Sequence, residues 1–206
     1  MRTRVLEPED MDDPSLDPVA HRLALNGLTR LNRISFAASA IWRVLEKEYH
    51  AALAHENGPA TWCVVDIATG GGDLPVWLAG KARLKGYDWR VTGADVSAVA
   101  LDHAARKANA AGVDVEWLRL DVTREALPAC DWIISSLFLH HLDDATLVDL
   151  LQRMAQAARR GILIDDLERT AFNRALVWLG AHLLSTSDIV HRDSDRSVRA
   201  AFTLSE

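Results

Sequence analysis

The chain has 206 residues, of which 49% are hydrophobic, and 23 basic side chains against 29 acidic ones leave a formal charge of −6. At this length one core with an extension fits better than two domains, and burial of about 70% of the unfolded surface makes a disulfide or metal staple unnecessary. The negative charge disfavours nucleic-acid backbones and anionic membrane surfaces. Cys63 and Cys130 form no CxxC pair and have no histidine at zinc-ligand spacing, which suits a soluble, reduced, cytoplasmic chain.

Residues 1–17, MRTRVLEPEDMDDPSLD, hold six acids and two arginines. With prolines at 8 and 14 and another at 18, and no apolar signal segment, they read as a flexible lead-in without chemistry. No later stretch approaches the ~20 apolar residues of a membrane span. Residues 18–58 read as a helical cap. Its pattern runs from about Val19 to His55, with Ile41, Leu45 and Ala52 on one face, Val44 beside them, and Asn57, Gly58 and Pro59 closing it. Residues 59–206 form the remaining domain, in which short β-branched runs alternate with amphipathic segments, the mark of βαβ units around a parallel sheet.

Five strands are predicted, over 62–67, 89–94, 115–120, 132–136 and 161–164. Four helices separate or follow them. Leu74, Trp77 and Leu78 line the first; Ser97 caps a second that runs to Ala111 before Gly112. Leu147, Leu150, Leu151 and Met154 stripe a third that ends in Arg159, Arg160 and Gly161. Thr170 caps the fourth, which reaches about Leu184 with Phe172, Leu176, Leu179 and Leu183 repeating along it.

The most informative stretch is VVDIATGGGDLPVWLA, residues 64–79, where an apolar strand ends in an acid, turns through three glycines and opens a helix. Glycines in such a turn let the backbone approach a ligand closely. A dinucleotide fingerprint fits poorly, because Pro75 stands three residues after Gly72 and Asp66 precedes the glycines instead of following them by about 20 residues. Asp95 and Asp121 then follow the next two strands, where open α/β sheets bind ligands.

The spacing Asp66, Ala68, Gly70, Gly72 resembles the first motif of the class I S-adenosylmethionine-dependent methyltransferases, although the family usually has glycine where Ala68 stands. The resemblance spans about residues 62–166. It implies a Rossmann-like α/β sheet in the order 3-2-1-4-5. It also implies a donor site built from the turn residues Asp66, Ala68, Thr69, Gly70, Gly71, Gly72 and Asp73, with S-adenosylmethionine entering and S-adenosylhomocysteine leaving. Asp95, beside Val96, would bind the ribose hydroxyls. Asp121, beside Val122, would accept from the adenine amino group, and Ser136 and Leu137 end strand four facing the transferred methyl.

Residues 30–46, RLNRISFAASAIWRVLE, and the GGGD ending in Asp73 look like the ubiquinone and menaquinone biosynthesis C-methyltransferases. Those carry an arginine-asparagine pair after strand four, where this chain has His140 and His141. SLFLHHL and the turn Asp166, Leu167, Glu168, Arg169 resemble instead bacterial small-molecule methyltransferases linked to polyketide or phenolic products. That resemblance implies O-methylation of a small-molecule acceptor, with His140, His141, Asp166 and Arg169 bordering it and a histidine as base. Alternatives are C-methylation of a quinone-like precursor, a non-catalytic donor-binding scaffold, and a Rossmann-type oxidoreductase.

Metal-assisted catechol methylation needs an acid ending strand four and an Asp-Asn pair after strand five. Ser135 and Ser136, then Asp165 and Asp166, leave such a site incomplete, so no metal is expected. Methylation of base amines usually shows two prolines after strand four, which SSLF lacks. The last residues, DIVHRDSDRSVRAAFTLSE, show no alternating apolar run for a strand pair. Thr203 and Glu206 have capping-box spacing, so the chain reads as cut inside its domain. A fifth strand left at the sheet edge would invite association, such as a homodimer.

Overall fold

The computed structural model describes residues 3–13, 15–55 and 61–206. Pro14, the closing trio Asn57, Gly58 and Pro59, and the expected boundary at 58 and 59 lie outside the described residues. Five strands, β1 (Trp62–Ile67), β2 (Trp89–Asp95), β3 (Glu116–Arg119), β4 (Cys130–Ser136) and β5 (Ala158–Asp165), form one sheet. Its order is β3-β2-β1-β4-β5, and every pairing is parallel. This is the Rossmann-like arrangement that the sequence implies. The order reverses beside β1, so the loops after β1 and β4 diverge and leave a crevice at the carboxyl edge.

Among the described residues seven α-helices accompany the sheet: α1 (Pro18–Ile34), α2 (Ala37–His55), α3 (Asp73–Lys85), α4 (Ala98–Ala111), α5 (Asp144–Ala157), α6 (Ala171–Leu184) and α7 (Asp188–Ala200). Local chemistry sets several of their ends. Asp17 caps α1 by accepting from Val19 N and Ala20 N, with Pro18 at the first helical position. Ser97 caps α4 through Ala100 N, and left-handed Gly112 closes it. Thr170 caps α6 through Asn173 N.

Three elements depart from the predicted pattern. The helical stretch before residue 56 is two helices, because Phe36 turns the chain at φ 48° after α1 stops at Ser35. Arg159 and Arg160 do not end a helix: α5 stops at Ala157, and both arginines open β5. Pairing decides this, since Ala158 stands against Cys130 and Asp131 draws Arg159 Nε to 3.3 Å and Arg160 Nε to 3.6 Å. Residues 188–200, which carry no obvious apolar face, are helical. Ile189, Val190 and Val198 are buried, and the polar side is used internally, with Asp193 accepting from Asp10 N and Met11 N. On α6 the apolar repeat faces outward: Phe172 is 77% and Leu183 73% exposed, while Ala181 is buried.

One side of the sheet is closed by an aromatic block in which Trp42 and Tyr49 of α2 pack on Tyr87, Trp89 and Trp62. The other side holds Ile67, Ile133, Leu150 and Met154. Two tryptophans lie over glycines on the neighbouring strand. Gly93 pairs with Trp117 and Gly161 with Trp132. A Cβ at either glycine would come within 2.5 Å of the indole, so each tryptophan needs a partner without a side chain. Replacing Gly161 with Val is expected to displace Trp132 and lower unfolding stability by about 1–3 kcal/mol. A denaturant midpoint equal to the parent's would contradict this packing.

Candidate functional site

The turn from β1 into α3 is the strained part of the carboxyl edge. Ala68, Gly70 and Gly72 have φ of 51°, 53° and 71°, three left-handed residues within five. Gly72 is required for space as well, because a Cβ there would stand 2.5 Å from Ala104 Cβ and 2.6 Å from Trp117. Gly70 has open space where its Cβ would be. Ala68 adopts the left-handed conformation with a side chain present, which costs roughly 1–2 kcal/mol. Leu137, just past β4, shares that feature at φ 56°. Strain of this kind persists where surrounding structure holds it and concentrates at ligand sites.

Hydrogen bonds lock the turn from beneath. Thr69 N donates to Ala94 O at 2.9 Å, and the Thr69 hydroxyl donates to Asp66 Oδ2 at 2.5 Å. Asp95 accepts from Gly70 N at 2.7 Å and from Ser97 N at 2.8 Å. Lys107 bonds Gly71 O at 2.8 Å and pairs with Asp73. Asn32 of α1 donates to Asp73 at 3.1 Å. Leu25 lies 3.6 Å from where a Gly71 Cβ would be, so α1 roofs the turn.

Burial raises three carboxyls along this edge. Asp66 is pushed to about 7, mainly by burial, against the bond from Thr69; its Oδ1 is buried without a hydrogen-bond partner. Asp95 is raised by burial, partly offset by the N–H bonds of Ser97 and Gly70. Asp165, which accepts from Ser136 Oγ at 3.2 Å, is raised by burial too.

The other expected donor-site residues are spread along the same edge. Asp121 follows β3 in a tight turn, accepting from Thr123 N at 3.0 Å and Thr123 Oγ1 at 2.6 Å. Val122 is buried and Val96 exposed. Leu137 N donates to Asp165 O at 2.8 Å, which joins the ends of β4 and β5.

His140 and His141 lie in a short 3-10 turn, Leu139–His141, with ring centroids 4.3 Å apart. His140 is 2% exposed. Its Nδ1 meets Asp166 Oδ1 at 2.6 Å, and its backbone N donates to Asp166 Oδ2 at 3.1 Å. Burial alone would lower its pKa; the hydrogen bond to Asp166 and the negative Glu9 outweigh that and raise it to about 9. Glu9 reaches both rings, at 3.8 Å from His140 Nε2 and 3.9 Å from His141 Nε2. These are charge contacts, too long for hydrogen bonds. Asp12 holds His141 Nδ1 at 3.0 Å.

Arg169 is turned to the C-terminal tail. It is 3% exposed, and donates to Ala201 O at 3.0 Å and to Glu206 Oε2 at 2.6 Å.

Glu9 and Asp12, the acids that meet the two histidines, had no signal in the sequence and lie in a segment expected to be flexible and inert. Arg4 ties that segment down, donating to Ala200 O at 2.6 Å, His140 O at 2.8 Å and Leu142 O at 2.6 Å. His21 of α1 was also missed. It is 8% exposed; burial lowers its pKa, while the charges of Asp95 and Asp12 act in the opposite direction. No local motif announces these residues, since their partners are distant in the chain.

The buried Asp66 makes stability depend on pH. Burial pushes its folded carboxyl to about 7, against an ordinary value of 3.8, so the unfolded chain ionises first as pH rises. The stabilisation carried by the neutral carboxyl is complete below the unfolded value and is lost as pH climbs through about 7. Asp66→Asn is expected to remove this loss. The unfolding free energy of the parent, relative to the Asn variant, then falls steadily between about pH 4 and 7. A difference that stays flat across that window would contradict the assignment.

Comparison with known proteins agrees with this geometry. Residues 64–161 match the family model described as a methyltransferase domain. The release factor glutamine methyltransferase of Mycobacterium tuberculosis is 46% identical over 69 residues, 34% of this chain and 22% of the relative. The demethylmenaquinone methyltransferase of Thermus thermophilus is 40% identical over 102 residues, 49% of this chain and 41% of that protein. The chain thus spans between about a fifth and two fifths of the length of these curated relatives. A crystal structure of an S-adenosylmethionine-dependent methyltransferase from Aquifex aeolicus superimposes with a TM-score of 0.52 at 22% identity, covering 76% of each chain. In the matched stretch, residues 64–161, and in its 3-2-1-4-5 parallel sheet, this chain is similar to the S-adenosylmethionine-dependent methyltransferases.

Proposed function

We propose that the protein transfers the methyl group of S-adenosylmethionine to a small-molecule acceptor, a phenolic or polyketide-like hydroxyl. The observation that carries the reading is the left-handed turn from Ala68 to Gly72 beside two buried carboxyls, Asp66 and Asp95, at the crevice where the strand order reverses. Open space at Gly70 and the unpartnered Asp66 Oδ1 fit the donor's amino-acid end. Asp95 would hold the ribose and Asp121 the adenine. The donor supplies an electrophilic methyl on a sulfonium.

The chain's own residues have two tasks. The first is alignment of the acceptor oxygen with the methyl, worth about 7–11 kcal/mol when complete. The second is removal of the acceptor's proton as the oxygen–methyl bond forms and the sulfur–methyl bond breaks, its electron pair staying on sulfur. His140 suits the second task because Asp166 fixes Nδ1–H and steadies the imidazolium. Against burial, Asp166 and then Glu9 raise the pKa of His140 to about 9, so the neutral, base-competent imidazole gains population as pH rises toward that value. His141, stacked alongside, shares the acceptor face. Arg169 acts through the tail it anchors. The free thiols Cys63 and Cys130 support a cytoplasmic setting, and no helix among the described residues is long and apolar enough to cross a membrane.

A second reading, C-methylation of a quinone-like precursor, draws on the likeness to the Thermus thermophilus protein. Turnover on phenols and on a demethylated quinone precursor distinguishes the two.

Calorimetric titration with S-adenosylmethionine is expected to show saturable binding that Asp95→Ala abolishes. An unchanged dissociation constant in that variant would end the site assignment. The His140→Ala, His141→Ala double variant is expected to keep donor affinity and lose about 10²–10⁴-fold in turnover. Methylation at the parental rate would remove the histidine base, and donor binding without turnover on either panel would favour a scaffold.

A further inference from the structure

The cluster of Glu9, His140 and His141 does more than border an acceptor. One ligand atom from each residue lies within 4.8 Å of the other two. His140 Nε2 is buried and has no hydrogen-bond partner, on a side chain that is 2% exposed. A buried imidazole nitrogen without a partner is costly, and a ligand on that nitrogen removes the cost.

Both imidazoles are held from behind. Asp166 takes Nδ1 of His140 at 2.6 Å and Asp12 takes Nδ1 of His141 at 3.0 Å. A carboxylate on one ring nitrogen fixes the proton there and turns the lone pair of the other nitrogen forward, the arrangement that supports histidine ligation. Both forward nitrogens face the same Glu9 carboxylate.

We propose that Nε2 of His140, Nε2 of His141 and the carboxylate of Glu9 bind a divalent transition metal of the zinc class. Two imidazoles and one carboxylate suit zinc and disfavour calcium and magnesium, which take oxygen ligands. Tetrahedral ligands at zinc distances stand about 3.3–3.5 Å apart. The Glu9 contacts of 3.8 and 3.9 Å therefore close on the ion by a few tenths of an ångström. A fourth position remains for water or another ligand.

The sequence gives no sign of such a site. Its expected absence of metal considered the acids after strands four and five, whereas Glu9 arrives from the other end of the chain. The ion would pin residues 3–13 to the turn after β4, beside the clamp that Arg4 already makes with His140 O and Leu142 O. Metal binding stands whether or not the chain transfers methyl groups. If the methyl-transfer reading also holds, zinc and the acceptor compete for the same two nitrogens.

The test is calorimetric titration of chelator-treated, dialysed protein with zinc chloride, paired with visible absorption spectra of the cobalt(II) form. One equivalent of zinc is expected, with the intense d–d bands of tetrahedral cobalt. Glu9→Gln and His141→Asn are each expected to abolish the bands. Asp12→Asn, which leaves all three ligands in place, is expected to weaken zinc about 10–100-fold. His182→Ala serves as control, because His182 and His191 stack at 4.2 Å and could capture zinc unspecifically; it is expected to change nothing. Thermal melts of the near-isosteric Glu9→Gln and Asp12→Asn variants verify folding. No saturable zinc binding by the parent, or undiminished binding by folded Glu9→Gln, overturns the site. Loss of binding in His182→Ala alone overturns it as well, by placing the metal elsewhere.

Discussion

The backbone between Ile67 and Asp73 is the constraint on which the rest of the carboxyl edge depends. Three of its residues sit in left-handed conformations; Gly70 and Gly72 adopt them freely, whereas Ala68 does so at a cost. The fold imposes it: β1 is central in the sheet, with β2 on one side and β4 on the other, while α3 must return along the sheet face. Bonds from both directions hold the result. Ala94 O and Asp95 accept from the N–H groups of Thr69 and Gly70, and Lys107 of α4 takes Gly71 O and Asp73. Strand two and its following helix thereby stabilise a turn that belongs to strand one, and Asp95 is placed by the bonds that make it a fastener.

The same logic extends to the segment before the sheet. α1 crosses the turn through Asn32, Leu25 and His21. Residues 3–13 reach further, over the turn after β4, held by Arg4 and by the pairing of Asp10 with Arg192 and Arg196 of α7. The N-terminal residues and α7 are thus mutual partners, which explains how a helix with so polar a sequence packs. Its charges meet charges from the other end of the chain, and its buried apolar stripe is narrow, made of Ile189, Val190, Val198 and Ala200.

What was legible in the sequence was local or periodic. The strands, the Ser97 and Thr170 caps, the Gly112 stop and the glycine turn all depend on neighbours within a few residues, and the structure repeats them closely. The strand order followed from family resemblance. The departures share one physical cause, long-range pairing. Arg159 and Arg160 look like a helix end until Asp131 and the β4 register pull them into a strand. The acids of residues 7–13 look like a solvated tail until α7 and the two histidines give them partners. For the candidate site, the residues expected on the donor side came from family resemblance and lie along one edge of the sheet, whereas the surroundings of His140 had no local signal, because Glu9 lies outside every local motif.

Electrostatics gives these pieces a common sense. Asp66, Asp95 and Asp165 stand at the carboxyl ends of three strands, and burial raises all three. Desolvation of several carboxyls along one edge is unfavourable, and the N–H bonds to Asp95 offset it only in part. A ligand that brings positive charge to this edge relieves the strain twice. It favours the ionised carboxylates and supplies the partner that Asp66 Oδ1 lacks. A sulfonium-bearing donor with an α-ammonium group has that charge, and after methyl transfer the sulfur no longer carries it. In the proposed reaction, attraction between the edge and its ligand is therefore stronger before methyl transfer than after, which would help the spent donor leave.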